Sequence, residues 1–160
     1  MSERDAFENH EFNVLVRDLD PQGHVANHVY VAYLSEARAR FMRAFEDGAT
    51  AFKPSVVAEM RCRYRSPLLA WEKFRVRVRI ARVGRTSVGF AYEVRTGDRL
   101  IADGDSVEVL VDPESRRPRE VPAALRARLE RLIAAYDDEE SASPHPHPER
   151  TRQDGIASRS

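Results

Sequence analysis

The sequence predicts an α+β domain in which a curved antiparallel five-stranded sheet wraps one long central helix. Three observations lead there. A single stretch, Tyr30 to Phe45, repeats its apolar residues every three or four positions. From about 54 to 112 the repeat becomes two, four times over. The breaks between those stretches fall at Pro67, Gly84 and Gly97-Asp98, which suit tight turns between antiparallel neighbours. The 160 residues suit one domain of this kind.

The elements follow in order. Phe12, Val14 and Val16 alternate with Asn13, Leu15 and Arg17, the pattern of a half-buried first strand. Asp18-Leu19-Asp20-Pro21-Gln22-Gly23 is a turn-rich loop carrying two carboxylates. The helix then carries Tyr30, Tyr33, Leu34, Ala37, Phe41, Ala44 and Phe45 on one stripe, with Glu36, Arg38, Arg40 and Arg43 elsewhere. Asn27 is its expected N-cap and Gly48 its expected stop. Four strands follow as a meander. Their core-facing sets are Ala58/Met60/Cys62/Tyr64, Phe74/Val76/Val78/Ile80, Val88/Phe90/Tyr92/Val94 and Val107/Val109/Val111. A second helix after Pro118 and Pro122 places Leu125, Leu129, Leu132, Ile133 and Tyr136 on one face.

One helix with one apolar stripe cannot make a core alone, and a sheet wrapped around it can. The domain is expected over 11–137, with residues 1–10 flexible. Residues 138–160 are expected to be disordered, because Ser, Pro, His and charged residues dominate there. Leu15, Val57 and Leu110 sit off the expected core face, so a homodimer or homotetramer is expected.

Composition narrows the function. The 26 basic and 26 acidic residues cancel, so nothing draws the whole chain to nucleic acid or to an anionic membrane. No apolar run approaches the roughly 20 residues that span a bilayer. Cys62 is the only cysteine and alternates with core residues, which leaves no disulfide or thiolate metal site. A cytoplasmic protein fits these features. His145 and His147 resemble a metal-binding pair but stand among prolines in the tail, so no metal is expected.

Chemistry concentrates in Asp18 to Arg38. A carboxylate stands just before a helix start, where free backbone N–H groups and a partial positive charge collect. Such donors can hold the oxygen of a polarised carbonyl, while the carboxylate attacks it or activates a water. Gly23 would let a ligand approach the backbone closely.

Asp18-Leu19-Asp20-Pro21-Gln22-Gly23-His24-Val25-Ala26-Asn27-His28, continuing through Tyr30, Tyr33, Glu36 and Arg38, resembles the signature of the 4-hydroxybenzoyl-CoA thioesterase-like hotdog family. Ala26 departs from it, standing where an asparagine is common. The resemblance spans about 11–135. It implies a hotdog fold and hydrolysis of an acyl-CoA without a cofactor. It makes Asp20 the catalytic carboxylate and gives the oxyanion hole to the backbone of Asn27 and His28. His24 becomes a second acid or base, or the residue that orients the loop. It also assigns Arg85, Thr86 and Ser87 to the nucleotide and phosphates of coenzyme A, at a site built between two subunits.

Other roles follow from the residues themselves. Asp18 reads as a structural anchor of the loop. Tyr30 and Tyr33 read as core, with Tyr30 a candidate wall of the acyl pocket. Glu36 reads as an ion-pair partner of Arg38. Arg61, Arg63 and Arg65 read as one solvated strand face, and Arg75, Arg77 and Arg79 as another. Two further readings compete with hydrolysis. In one, Asp20 and His24 together hydrate or dehydrate an acyl thioester; in the other, the fold binds acyl-CoA without turnover.

Overall fold

A computed structural model describes residues 8–43, 45, 52 and 54–142, the last six as backbone only. Strand β1 spans Asn9–Asn13, helix α1 Asn27–Arg43, β2 Ser55–Tyr64, β3 Lys73–Val83, β4 Ser87–Thr96, β5 Arg99–Leu110 and helix α2 Ala123–Ala142. All five strands form one antiparallel sheet in the order β1-β3-β4-β5-β2. The curved sheet and central helix expected from the sequence are therefore present.

Helix α1 buries Tyr30, Leu34, Ala37 and Phe41, as its stripe requires, and also buries Met42 and Arg38, the latter expected on another face. Phe41 and Phe45 pack with tilted rings and meet Phe90 and Phe52 of the core. Strands β3 and β4 face α1 with Phe74, Val76, Val78 and Ile80, and with Val88, Phe90, Tyr92 and Val94, all buried as expected. Helix α2 packs against β3 and buries Leu125, Leu129 and Tyr136.

Four expectations need correction. The first strand lies three residues earlier than its alternation suggested. Val14 leaves the sheet, and Val16–Asp18 form one 3-10 turn in which Val16 is exposed. Residues 9 and 10 are thus sheet, not a flexible end. Second, only β3, β4 and β5 form a meander. Strand β2 crosses to pair with β5, because a strand cannot fold back on β3 while β1 occupies that edge.

Third, β5 is turned over relative to its valine pattern. Ala102, Gly104, Ser106, Glu108 and Leu110 are buried, sharing a face with the buried residues of β4. Val107 and Val109 lie on the other face, half-buried. Polar partners inside explain the choice: Glu108 meets Arg38 of α1, and Ser106 meets Tyr92. Gly104 leaves room for the neighbouring strand β2, since a Cβ there would lie 2.4 Å from the Arg61 carbonyl oxygen. Fourth, α2 continues to Ala142, beyond the boundary expected at 137, through residues that include helix-favouring Glu and Ala.

Leu15 and Val57 are exposed as expected, whereas Leu110 is fully buried. Ala44, Gly48, His145, His147 and residues 143–160 lie outside the described residues. Among the described residues no helix is long and apolar enough to cross a membrane.

Candidate active site

The loop before α1 is a small closed hairpin. Leu19 and Val25 bridge across it, and the Asp20 N–H donates to the His24 carbonyl at 2.8 Å. Gly23 turns the chain at φ +80°, and its N–H donates to the Asp20 carbonyl at 3.0 Å. That backbone region favours glycine, so Gly23 shapes the turn. The Asp20 side chain completes it. Its Oδ1 accepts from the Gln22 N–H at 2.9 Å and from the His24 N–H at 3.1 Å. Two donors fix one carboxylate oxygen; Oδ2 has no hydrogen-bond partner among the described residues.

Asp18 anchors the loop from below, as its structural reading required. It is buried, and its Oδ2 accepts from the Leu15 N–H and from the Tyr33 hydroxyl. Burial first, and then the Asp18 carboxylate, push the Tyr33 phenol well above its usual pKa. Tyr33 therefore stays a proton donor to Asp18 across the working pH range.

At the helix start, the Ala26 N–H is spent on the Asp18 carbonyl and the Val29 N–H on the Ala26 carbonyl. The N–H groups of Asn27 and His28 have no partner among the described residues. They are the donors a helix start leaves open. Tyr64 of β2 donates its hydroxyl to the Asn27 carbonyl at 2.8 Å and packs edge-on against Tyr30. Burial raises the Tyr30 pKa, so that ring too stays neutral.

A cleft of about 500 Å³ lies over these groups. Asp20, His24, Asn27 and Tyr30 line one side, and Tyr64 to Pro67 the other. The His24–Leu69 bridge and the Val25 N–H bond to Leu68 carbonyl hold the two sides together. The structure thus gathers Asp20, His24, Asn27 and Tyr30 at one place. The His28 side chain is exposed outside the cleft wall, leaving only its backbone in position.

Arg85, Thr86 and Ser87 lie elsewhere. They form the β3–β4 turn, where Arg85 pairs with Glu120 at 3.2 Å and the Thr86 carbonyl accepts from Leu110. Ser87 is level with Val109 and Val56, whereas Tyr64 is level with Ala102. Eight residues of β2 separate those levels, about 25 Å of strand. One protomer therefore holds the two expected halves of the site at opposite ends of its sheet.

Other arginines mostly meet acids. Arg63 and Arg65 bind Asp103, and Arg63 also reaches Asp105. Burial alone would raise the Asp103 pKa, but the Arg65 and Arg63 guanidiniums outweigh it and hold the carboxyl below its usual range. Glu36 pairs with Arg40 at 2.9 Å, not with Arg38. Sequence reasoning missed Tyr64, Ser66 and Pro67 as cleft residues, because only the strand order brings β2's end to the helix start. The alternation that put Tyr64 on the helix-facing side was the one available signal.

Comparison with known proteins identifies the family. Residues 14–129 match the Thioesterase-like superfamily. The chain is 25% identical over 138 residues to a chloroplastic acyl-acyl carrier protein thioesterase of Arabidopsis thaliana, covering 81% of this chain and 72% of that one. A Thermus thermophilus thioesterase, solved with coenzyme A and zinc, superposes with a TM-score of 0.72 at 31% identity, over 80% of this chain and 95% of that one. A predicted thioesterase from Bacillus stearothermophilus shares the fold, with a TM-score of 0.70 at 23% identity over 78% and 95% of the two chains. With the match covering most of its length, this chain belongs to the Thioesterase-like superfamily and has the hotdog fold.

Proposed function

We propose that this protein hydrolyses acyl-CoA thioesters, with Asp20 as the reacting carboxylate and the Asn27 and His28 amides as the oxyanion hole. The observation that carries the reading is the pairing of two open helix-start N–H groups with a carboxylate whose other oxygen is already fixed. A carboxylate held at Oδ1 by two amides keeps Oδ2 in one orientation, so little ordering remains at the moment of reaction. The thioester oxygen docks on the amides, which stabilise the negative charge that develops there.

Two routes use the same atoms. In one, Oδ2 attacks the carbonyl carbon, the C–S bond breaks, the CoA thiolate leaves, and water then opens the mixed anhydride. In the other, Asp20 takes a proton from a water that attacks directly. A single turnover in isotopically labelled water separates them: the anhydride route can leave label in Asp20, the direct route only in the acid. The backbone of His24 holds Asp20 from both sides, which supports loop orientation as that residue's role. Tyr30 forms a wall of the acyl site, and Gly23 permits the turn.

The carrier reading rests on the Thermus neighbour, solved with coenzyme A. The name of the Arabidopsis relative adds acyl carrier protein as a second carrier to assay. Our reading places the enzyme in the cytoplasm as a homodimer. Strand β2 is a ten-residue sheet edge with exposed Val56, Val57 and Tyr64, and an open edge of this kind pairs readily with a second copy. Antiparallel pairing of two β2 strands brings the Arg85–Ser87 end of one protomer to the Tyr64 end of the other. That arrangement rejoins the two halves of the site and leaves those three residues to bind the nucleotide.

Thiol release from a panel of acyl-CoAs tests the function. Release that depends on enzyme concentration is expected. Stabilisation by acyl-CoA without release favours a binder, and loss of enoyl-CoA absorbance without release favours a hydratase.

A further inference from the structure

We infer that Arg38 and Glu108 of one protomer line the acyl site of the other and select acyl groups whose far end carries a hydroxyl. The inference rests on the thioesterase dimer proposed above and names its substrate class.

Arg38 and Glu108 face one another inside the domain, with side chains 9% and 6% exposed and Nε 3.0 Å from Oε2. That contact is out of line for donation, and Glu108 Oε2 is buried without a hydrogen-bond partner among the described residues. Oε1 accepts from Ser55 Oγ at 2.9 Å. Arg38 Nη1 reaches the Tyr92 hydroxyl at 3.5 Å, and Tyr92 meets Ser106 Oγ at 2.6 Å. Arg38, Glu108 and Ser55 border a cavity of about 370 Å³, and Ala39, Met42 and Pro54 are its other walls among the described residues.

Stability does not account for this cluster. A buried ion pair is commonly matched or bettered by well-packed apolar residues, and β5 has valines at 107 and 109 that it turns to the other face instead. The cluster offers both a guanidinium donor and an acceptor without a donor. A hydroxyl satisfies both; a methyl group satisfies neither. The pair is neutral overall, so it does not call for a carboxylate.

Position supplies the rest. The cavity adjoins Ser55, the first residue of β2, and the Asp20 cleft adjoins Tyr64, the last. Within one protomer, the advance along α1 from Asn27 to Arg38 puts about 16 Å between them, with Leu34 fully buried along the way. Antiparallel pairing of two β2 edges sets the Ser55 end of one copy beside the Tyr64 end of the other.

The test compares kcat/KM for ω-hydroxyacyl-CoAs and for the parent acyl-CoAs of equal chain length. Wild type is expected to favour the hydroxylated series at least about tenfold, since buried polar groups left unpaired discriminate strongly. Arg38→Met is expected to abolish the preference. Arg38→Lys, which keeps the charge and loses the planar donors, carries the same expectation should the Met variant melt at low temperature. Co-expressed Asp20→Asn and Arg38→Met chains are expected to regain hydroxyacyl turnover above either homodimer. Only a shared site gives such a heterodimer one intact centre. Equal kcat/KM for the two series in wild type overturns the inference, as does a mixture no better than its parts. Hydrolysis of neither series overturns the thioesterase reading and this inference with it.

Discussion

In the proposed mechanism the two oxygens of Asp20 have different roles, and the variants that separate them are specific. Asn keeps an Oδ1 that accepts the Gln22 and His24 amides, so Asp20→Asn is expected to fold with a melting temperature near wild type. It supplies no nucleophile or base, so thiol release is expected to fall about 100-fold or more. Near-normal turnover in that variant contradicts the mechanism. Gly23 carries a different burden. At φ +80° an alanine is strained, and Gly23→Ala is expected to cost about 1–2 kcal/mol in urea unfolding. An unchanged midpoint would show that the turn relaxes freely. Asp20, Asn27 and Tyr30 were readable before the fold was known, because loop, helix start and apolar stripe are all local. Tyr64 was not readable as their neighbour, since it arrives from 37 residues away.

At the scale of elements, the edge strand β2 is latched to β5 by Arg63 and Arg65 on Asp103. The Asp103 pKa is depressed in the folded protein, so this carboxylate stabilises the fold above its unfolded pKa of about 3.9. That contribution is lost as pH falls through the lower folded value. Thermal melts of wild type and Asp103→Asn should therefore differ at neutral pH and converge in acid below about pH 4. A difference that persists unchanged into acid contradicts the latch. The same region shows where periodicity misleads. The valines of β5 alternate perfectly, yet Glu108 and Ser106 take the inner face, because their partners Arg38, Ser55 and Tyr92 come from three other elements. Alternation marks a strand but not which face wins when the other face carries polar side chains with partners on neighbouring elements. The first strand slipped for a related reason: Val14 and Val16 continue its alternation, while Asp18 binds the Leu15 amide and turns the chain out of the sheet.

For the whole molecule, the sheet order decides whether one copy suffices. Helix, strands and their turns were readable from period and punctuation. The crossing of β2 to the far edge was not, because nothing local distinguishes pairing with β3 from pairing with β5. That crossing leaves β2 open and holds the Asp20 cleft and the Arg85–Ser87 turn at opposite ends. Replacing both Val56 and Val57 with lysine puts like charges on a two-fold edge pairing. Sedimentation is expected to show a wild-type dimer and a monomeric double variant, with turnover reduced at least about tenfold by loss of the shared site. A monomeric wild type with full activity contradicts the two-copy site.

The most direct measurement is a crystal structure of Asp20→Asn with an acyl-CoA bound. The thioester oxygen is expected within hydrogen-bond distance of the Asn27 and His28 amides, with its carbonyl carbon in contact with residue 20. A carbonyl bound away from the start of α1, out of reach of residue 20 even through one water, would contradict the account.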